Sequence, residues 1–92
     1  MKTVAILLKS GKVSKVSFDS LSCYQTTYTT DSEEKTVKLK KIFQSEKEST
    51  ISELNNIIGF AMLTDNVYLK FDNDNSSFVV NGKDISGVEM SE

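Results

Sequence analysis

Ile57-Ile58-Gly59-Phe60-Ala61-Met62-Leu63-Thr64-Asp65-Asn66-Val67-Tyr68-Leu69-Lys70-Phe71 is the most apolar stretch of this 92-residue chain, and how it divides decides the fold. Thr64-Asp65-Asn66 interrupts it with residues that favour turns. Beyond the turn, Val67, Leu69 and Phe71 alternate with Tyr68 and Lys70, the period of a strand with one buried face. Before the turn, Thr50 followed three residues later by Glu53 is a helix-starting capping box. Ile51, Leu54, Ile58 and Met62 fall on one helical face. Gly59 suits the left-handed position that ends many helices. The residues thus predict a helix over 50–58, with Phe60 to Leu63 opening a strand. The alternative carries the helix to Leu63, Gly59 then costing about 1 kcal/mol relative to Ala. Ile58, Phe60, Leu69 and Phe71 are the expected core where helix meets sheet.

Working towards the N-terminus, Gln44 to Ser49 is charged and loop-like. Thr36 to Phe43 alternates and then shifts phase at Ile42, which predicts a β-bulge near Lys40-Lys41. Leu21 to Thr30 is rich in Thr and Tyr and reads as an edge or solvent-facing strand. The two form a hairpin through a polar turn at Asp31 to Lys35. Val4 to Leu8 is apolar at every position, as in a central strand covered on both faces. Ser10-Gly11 predicts a two-residue hairpin placing Leu8 opposite Val13 and Ala5 opposite Val16. Towards the C-terminus, Asp72 to Asn75 is a turn. Asn81-Gly82 is a strong type I′ signal, which folds Lys83 to Val88 back with Ile85 opposite Phe78. Glu89 to Glu92 is expected to fray. The expected architecture is a single α+β domain over 1–92. It has six to seven short, mostly antiparallel strands and one amphipathic helix near 50–58 packed on the sheet.

Composition narrows the chemistry. The apolar fraction of 38% is modest, but its clear periodicity argues for a folded domain over disorder. There is no His, Arg, Pro or Trp, and all 11 cations are Lys. The usual general base and metal ligand are therefore missing, as is the bidentate fork that reads phosphate or guanine. A net charge of −2, with both signs dispersed, gives no strong steering towards nucleic acid or an anionic membrane. One cysteine permits no internal disulfide, and no stretch has the length of a signal peptide's apolar region or a membrane span. The expected location is the cytoplasm.

Most individual motifs in the sequence read as ordinary structural features. Cys23 lacks a neighbour to activate it and reads as a small, semi-buried hydrophobe. Asp72-x-Asp74-x-Ser76 opens like a calcium loop, but Ser77 and Lys83 stand where such a loop needs Gly and Glu. The pairs Asp72/Asp74 and Glu33/Glu34 lie in turns and read as exposed polar residues, not as an acid–base pair. No catalytic, cofactor-binding or metal-binding residue is assigned, and no enzyme activity is expected. The candidate partner surface is the polar-aromatic Tyr24, Thr26 and Tyr28 with Lys38 and Lys40 of the neighbouring strand, because tyrosine gives contact area at low entropic cost. The expected function is a small non-catalytic protein-interaction module with another protein as partner. The Lys-rich, Arg-free composition suits an AT-rich coding source, for instance a phage or mobile element whose accessory protein inhibits a host enzyme or defence complex by occupying its surface. The alternatives are a homo-oligomeric structural subunit, or a weak nucleic-acid or small-ligand binder using the Lys/Tyr face.

Overall fold

A computed structural model describes residues 1–31 and 34–92, with the side chains of Asp31 and Glu34 outside the description. The centre of the expected Asp31–Lys35 turn and the Glu33/Glu34 pair therefore lie outside the described residues. Seven strands and one α-helix follow one another: β1 Lys2–Leu8, β2 Val13–Phe18, β3 Ser20–Asp31, β4 Glu34–Gln44, α1 Ile51–Leu63, β5 Val67–Asp72, β6 Ser77–Asn81 and β7 Ile85–Ser91. They make two antiparallel sheets, one of three strands in the order β2-β1-β7 and one of four in the order β4-β3-β5-β6. This is a small α+β fold, with the helix packed on the sheets.

The chain passes between the sheets at two corners. At the first, β2 ends at Phe18 and β3 begins at Ser20, with the Asp19 N–H donating to the Asp72 carbonyl at 2.7 Å. The second corner overturns an expectation. Asn81-Gly82 does not turn a hairpin. Asn81 instead caps a single 3₁₀ turn over Gly82–Asp84, its side-chain oxygen accepting from the Lys83 N–H at 3.0 Å. The next residues, β7, pair with β1 of the other sheet rather than with β6. Gly82 is required for a different reason. A Cβ there would sit 2.1 Å from the Ala61 carbonyl oxygen, inside the helix backbone. The small residue lets the corner lie directly on α1. The C-terminal residues pair too, with Glu89 opposite Ala5 and Ser91 opposite Thr3, so the expected fraying from Glu89 does not occur.

The helix is longer than the preferred reading. It runs through Gly59 to Leu63, with Thr50 Oγ1 accepting from the Glu53 N–H at 3.1 Å as the capping box requires. Leu54, Ile58 and Ala61 bury one continuous stripe, and Ala61 is where the corner docks, so tertiary contact extends the helix past the glycine. The left-handed residue that reverses the chain is Asn66, at φ 62°, in the expected Thr64–Asn66 turn. Continuing the helix turns Phe60 outward, and it is 46% exposed rather than core; Ile58, Leu69 and Phe71 are buried as expected.

The first hairpin also shifts. Leu7, not Leu8, faces Val13, and Val4 faces Val16, because a three-residue loop replaces the two-residue one. The Leu8 N–H donates to Lys12, the Gly11 N–H donates to Leu8, and Gly11 takes φ 93°. Val4 and Ile6 are buried while Leu7 is exposed, so β1 is central but covered on one face only. The expected bulge is present: Cys23 faces Phe43 but Tyr24 faces Lys41, leaving Ile42 as the extra residue. β3 is an interior strand rather than an edge, and β4 holds the edge.

Phe18 of the first corner meets Phe71 of β5 edge-on at 5.1 Å between centroids, and Phe78 of β6 lies 6.4 Å beyond. This aromatic row ties the two sheets together inside a core completed by Leu21, Val67, Val80 and Ile85. Two glycines separate the packing and propensity effects. Gly82→Ala should lower stability by about 3 kcal/mol through overpacking against the helix backbone. Gly59→Ala, with open space around its Cβ, should raise it by about 0.5–1 kcal/mol. Urea denaturation of the two variants checks both signs.

Candidate functional site

Only Ser20–Gln25 of β3 pairs with β5, whereas Ser22–Asp31 pairs with β4. The distal halves of β3 and β4 therefore leave the body as a two-stranded arm. Twelve residues of strand span roughly 40 Å, in keeping with a molecule measuring 49 × 29 × 25 Å. Both faces of such an arm are open, and an isolated pair of strands is only marginally stable in water.

Register sorts the five expected partner-binding residues onto two faces. Tyr24 faces Lys41, Thr26 faces Leu39 and Tyr28 faces Val37, so all of these point to the outer side of the four-stranded sheet. Lys38 faces Thr27 and Lys40 faces Gln25, which puts both lysines on the opposite side. Tyr24, Thr26 and Tyr28 thus stand together, and Lys38 and Lys40 stand apart from them. Sequence reasoning missed the true neighbours of the tyrosines. Tyr68 lies directly across from Tyr24, and Lys70 lies across from Val79. All three tyrosines of the chain share this outer face. The period-two pattern of β5 already placed Tyr68 and Lys70 opposite the buried Val67, Leu69 and Phe71. The missing information was which strand β5 would pair with.

Across the sheet the outer face is apolar and open. Leu39 is 62% exposed, Tyr28 67%, Val37 57% and Val79 58%, while Tyr24 and Tyr68 are half-buried between them. Tyr24, Thr26, Leu39, Tyr68, Lys70 and Val79 line a shallow depression of about 440 Å³. The Lys41 ammonium lies 5.7 Å from the centre of the Tyr24 ring and donates to Gln44 Oε1 at 3.0 Å, a cation–π contact that holds both side chains in place. The Thr26 N–H and Oγ1 both donate to the Asn66 carbonyl, at 2.9 and 3.3 Å, anchoring the base of the arm to the turn after α1.

The residues of the calcium-loop-like turn have structural roles. Asn73 Oδ1 accepts from the Asn75 and Ser76 N–H groups at 2.8 and 2.9 Å, organising the turn that resembled a calcium loop. Its Nδ2 donates to the Ser17 carbonyl at 2.8 Å, stitching that turn to the first sheet. Asp72 Oδ1 accepts from the Ser77 hydroxyl and sits 3.9 Å from the Lys70 ammonium. Among the described residues, no three His, Cys, Asp or Glu converge as a metal site, and no helix is long and apolar enough to cross a membrane.

Cys23 is fully buried, and burial pushes its thiol above the ordinary value of 9.0. The neutral thiol is therefore favoured by folding. Its contribution is complete below the ordinary value and is lost as pH rises through the raised value of the folded state. The stability difference between wild type and Cys23→Ala should shrink as pH climbs above about 9, read from urea midpoints. Thiol reagents should label Cys23 only after unfolding. No protein-family model matches the chain, no curated protein matches it, and no solved structure matches it.

Proposed function

We propose that this chain is a non-catalytic protein-interaction module that binds another protein through the outer face of the four-stranded sheet. The observation that carries the reading is the row Tyr28, Val37, Leu39, Tyr24, Tyr68 and Val79, which runs apolar and open across one face of the four-stranded sheet. Contiguous exposed apolar surface is uncommon on small monomers and marks interaction sites. Tyrosine at its centre supplies rigid contact area, and an arm that is marginal alone gains most from being covered. An accessory protein that blocks an enzyme or defence complex by covering its surface would act in this way.

Nucleic acid is the weaker reading of the same face. Three tyrosines could stack bases. Half of the row, however, is aliphatic, and Lys38 and Lys40 face away from it. Self-association through the face is distinguished by light scattering, where a strictly monomeric protein at about 100 µM excludes a stable homo-oligomer.

The paired substitution Tyr28→Ser with Leu39→Ser tests the reading. Both side chains are exposed, so stability should fall by less than about 1 kcal/mol. Retrieval of a partner from the native cytoplasm by the tagged chain should drop at least roughly tenfold, as for loss of a central anchor. Thr27→Ser with Thr29→Ser, on the reverse face of the arm, should retrieve as well as wild type. Equal retrieval by the Tyr28/Leu39 variant would sink the proposal.

A further inference from the structure

The charges on the outer face specify what kind of surface it meets, an inference that rests on the interaction reading above. Register puts Lys35 of β4 on this face, opposite Thr30, together with Lys41 and Lys70. The one carboxylate that register places there among the described residues is Asp72, already occupied by the Ser77 hydroxyl and Lys70. Three lysines and one satisfied aspartate make the face cationic, on a chain that carries 13 acidic residues against 11 lysines overall. Positive charge is thus gathered around the apolar row. Lys41 is fixed beside Tyr24 by its contacts to that ring and to Gln44.

We infer that the partner is an acidic protein surface, an apolar centre ringed by Asp and Glu carboxylates that meet Lys35, Lys41 and Lys70. Charges at the rim of an apolar contact steer encounter and reject wrong partners more than they add raw affinity. A second copy packed face to face would set the same lysines against one another, a like-charge arrangement that opposes association. A polyanionic nucleic acid would satisfy the lysines but leave Val37, Leu39 and Val79 without apolar cover.

Lysines on two faces of the same strand provide the test. Lys35→Glu with Lys41→Glu reverses charge on the outer face, and Lys38→Glu with Lys40→Glu makes the same change on the reverse face. Retrieval from native cytoplasm is compared by quantitative mass spectrometry for wild type, both charge variants and the Tyr28→Ser/Leu39→Ser variant. The protein lost with the Tyr28/Leu39 variant should fall about tenfold or more with Lys35/Lys41 reversal and stay unchanged with Lys38/Lys40 reversal. It should also weaken as salt rises from about 0.05 to about 0.5 M. Zero-length carbodiimide coupling should join Lys35, Lys41 or Lys70 to its Asp or Glu side chains. A partner that depends on Tyr28 and Leu39 but ignores Lys35/Lys41 reversal overturns the inference and leaves the interaction reading standing. A retrieved partner that is this chain itself overturns both. Tight binding of an oligothymidylate that is abolished by Lys35/Lys41 reversal overturns both. No protein distinguishing wild type from the Tyr28/Leu39 variant also overturns both.

Discussion

The contact between Gly82 and Ala61 constrains everything else. The corner that carries the chain from β6 to β7 lies so close to α1 that no side chain fits between them. That closeness sets three things together. It fixes the depth of the helix on the sheets, and it aims β7 at β1 instead of back along β6. It also gives α1 a docking point in its last turns, beyond the glycine that local preference would have made its end. Close packing of this kind behaves as a rigid joint because interiors have little free volume in which to relax.

Beside that joint the aromatic row Phe18–Phe71–Phe78 does a complementary job in the same core. Phe18 closes the first sheet and Phe71 and Phe78 belong to the second, so the row spans the seam at the first corner. The side chain of Asn73 reaches across the same seam to Ser17. A domain of this length buries only about 60–65% of its unfolded surface. Two pinned corners and one helix make a shared core out of two sheets that would each be marginal.

That economy makes the arm conspicuous. β3 and β4 run well past the point where β5 stops supporting them, and they carry Tyr28, Val37 and Leu39 into solvent on one side and lysines on the other. Hairpin extensions that bury nothing usually shorten or become polar. This one keeps its aromatic and aliphatic residues on the side continuous with Tyr24, Tyr68 and Val79.

The sequence by itself determined the local elements. The capping box at Thr50, the alternation of Val67, Leu69 and Phe71, the phase slip at Ile42 and the turn at Thr64–Asn66 all act within a few residues, where backbone preference and period suffice. It also determined that Tyr24, Thr26 and Tyr28 share a face, because that follows from one strand's pleat. Only the tertiary structure decided what lies beside them. Pairing register moved Lys38 and Lys40 to the far side and brought Tyr68, Leu39 and Val79 into the row. The same holds for Gly59 and Gly82. Each residue type allows a helix end or a hairpin turn, but the packing of Ala61 against the second corner makes one a helix interior and the other a close contact. Local chemistry permits several conformations at a glycine, and long-range burial selects among them.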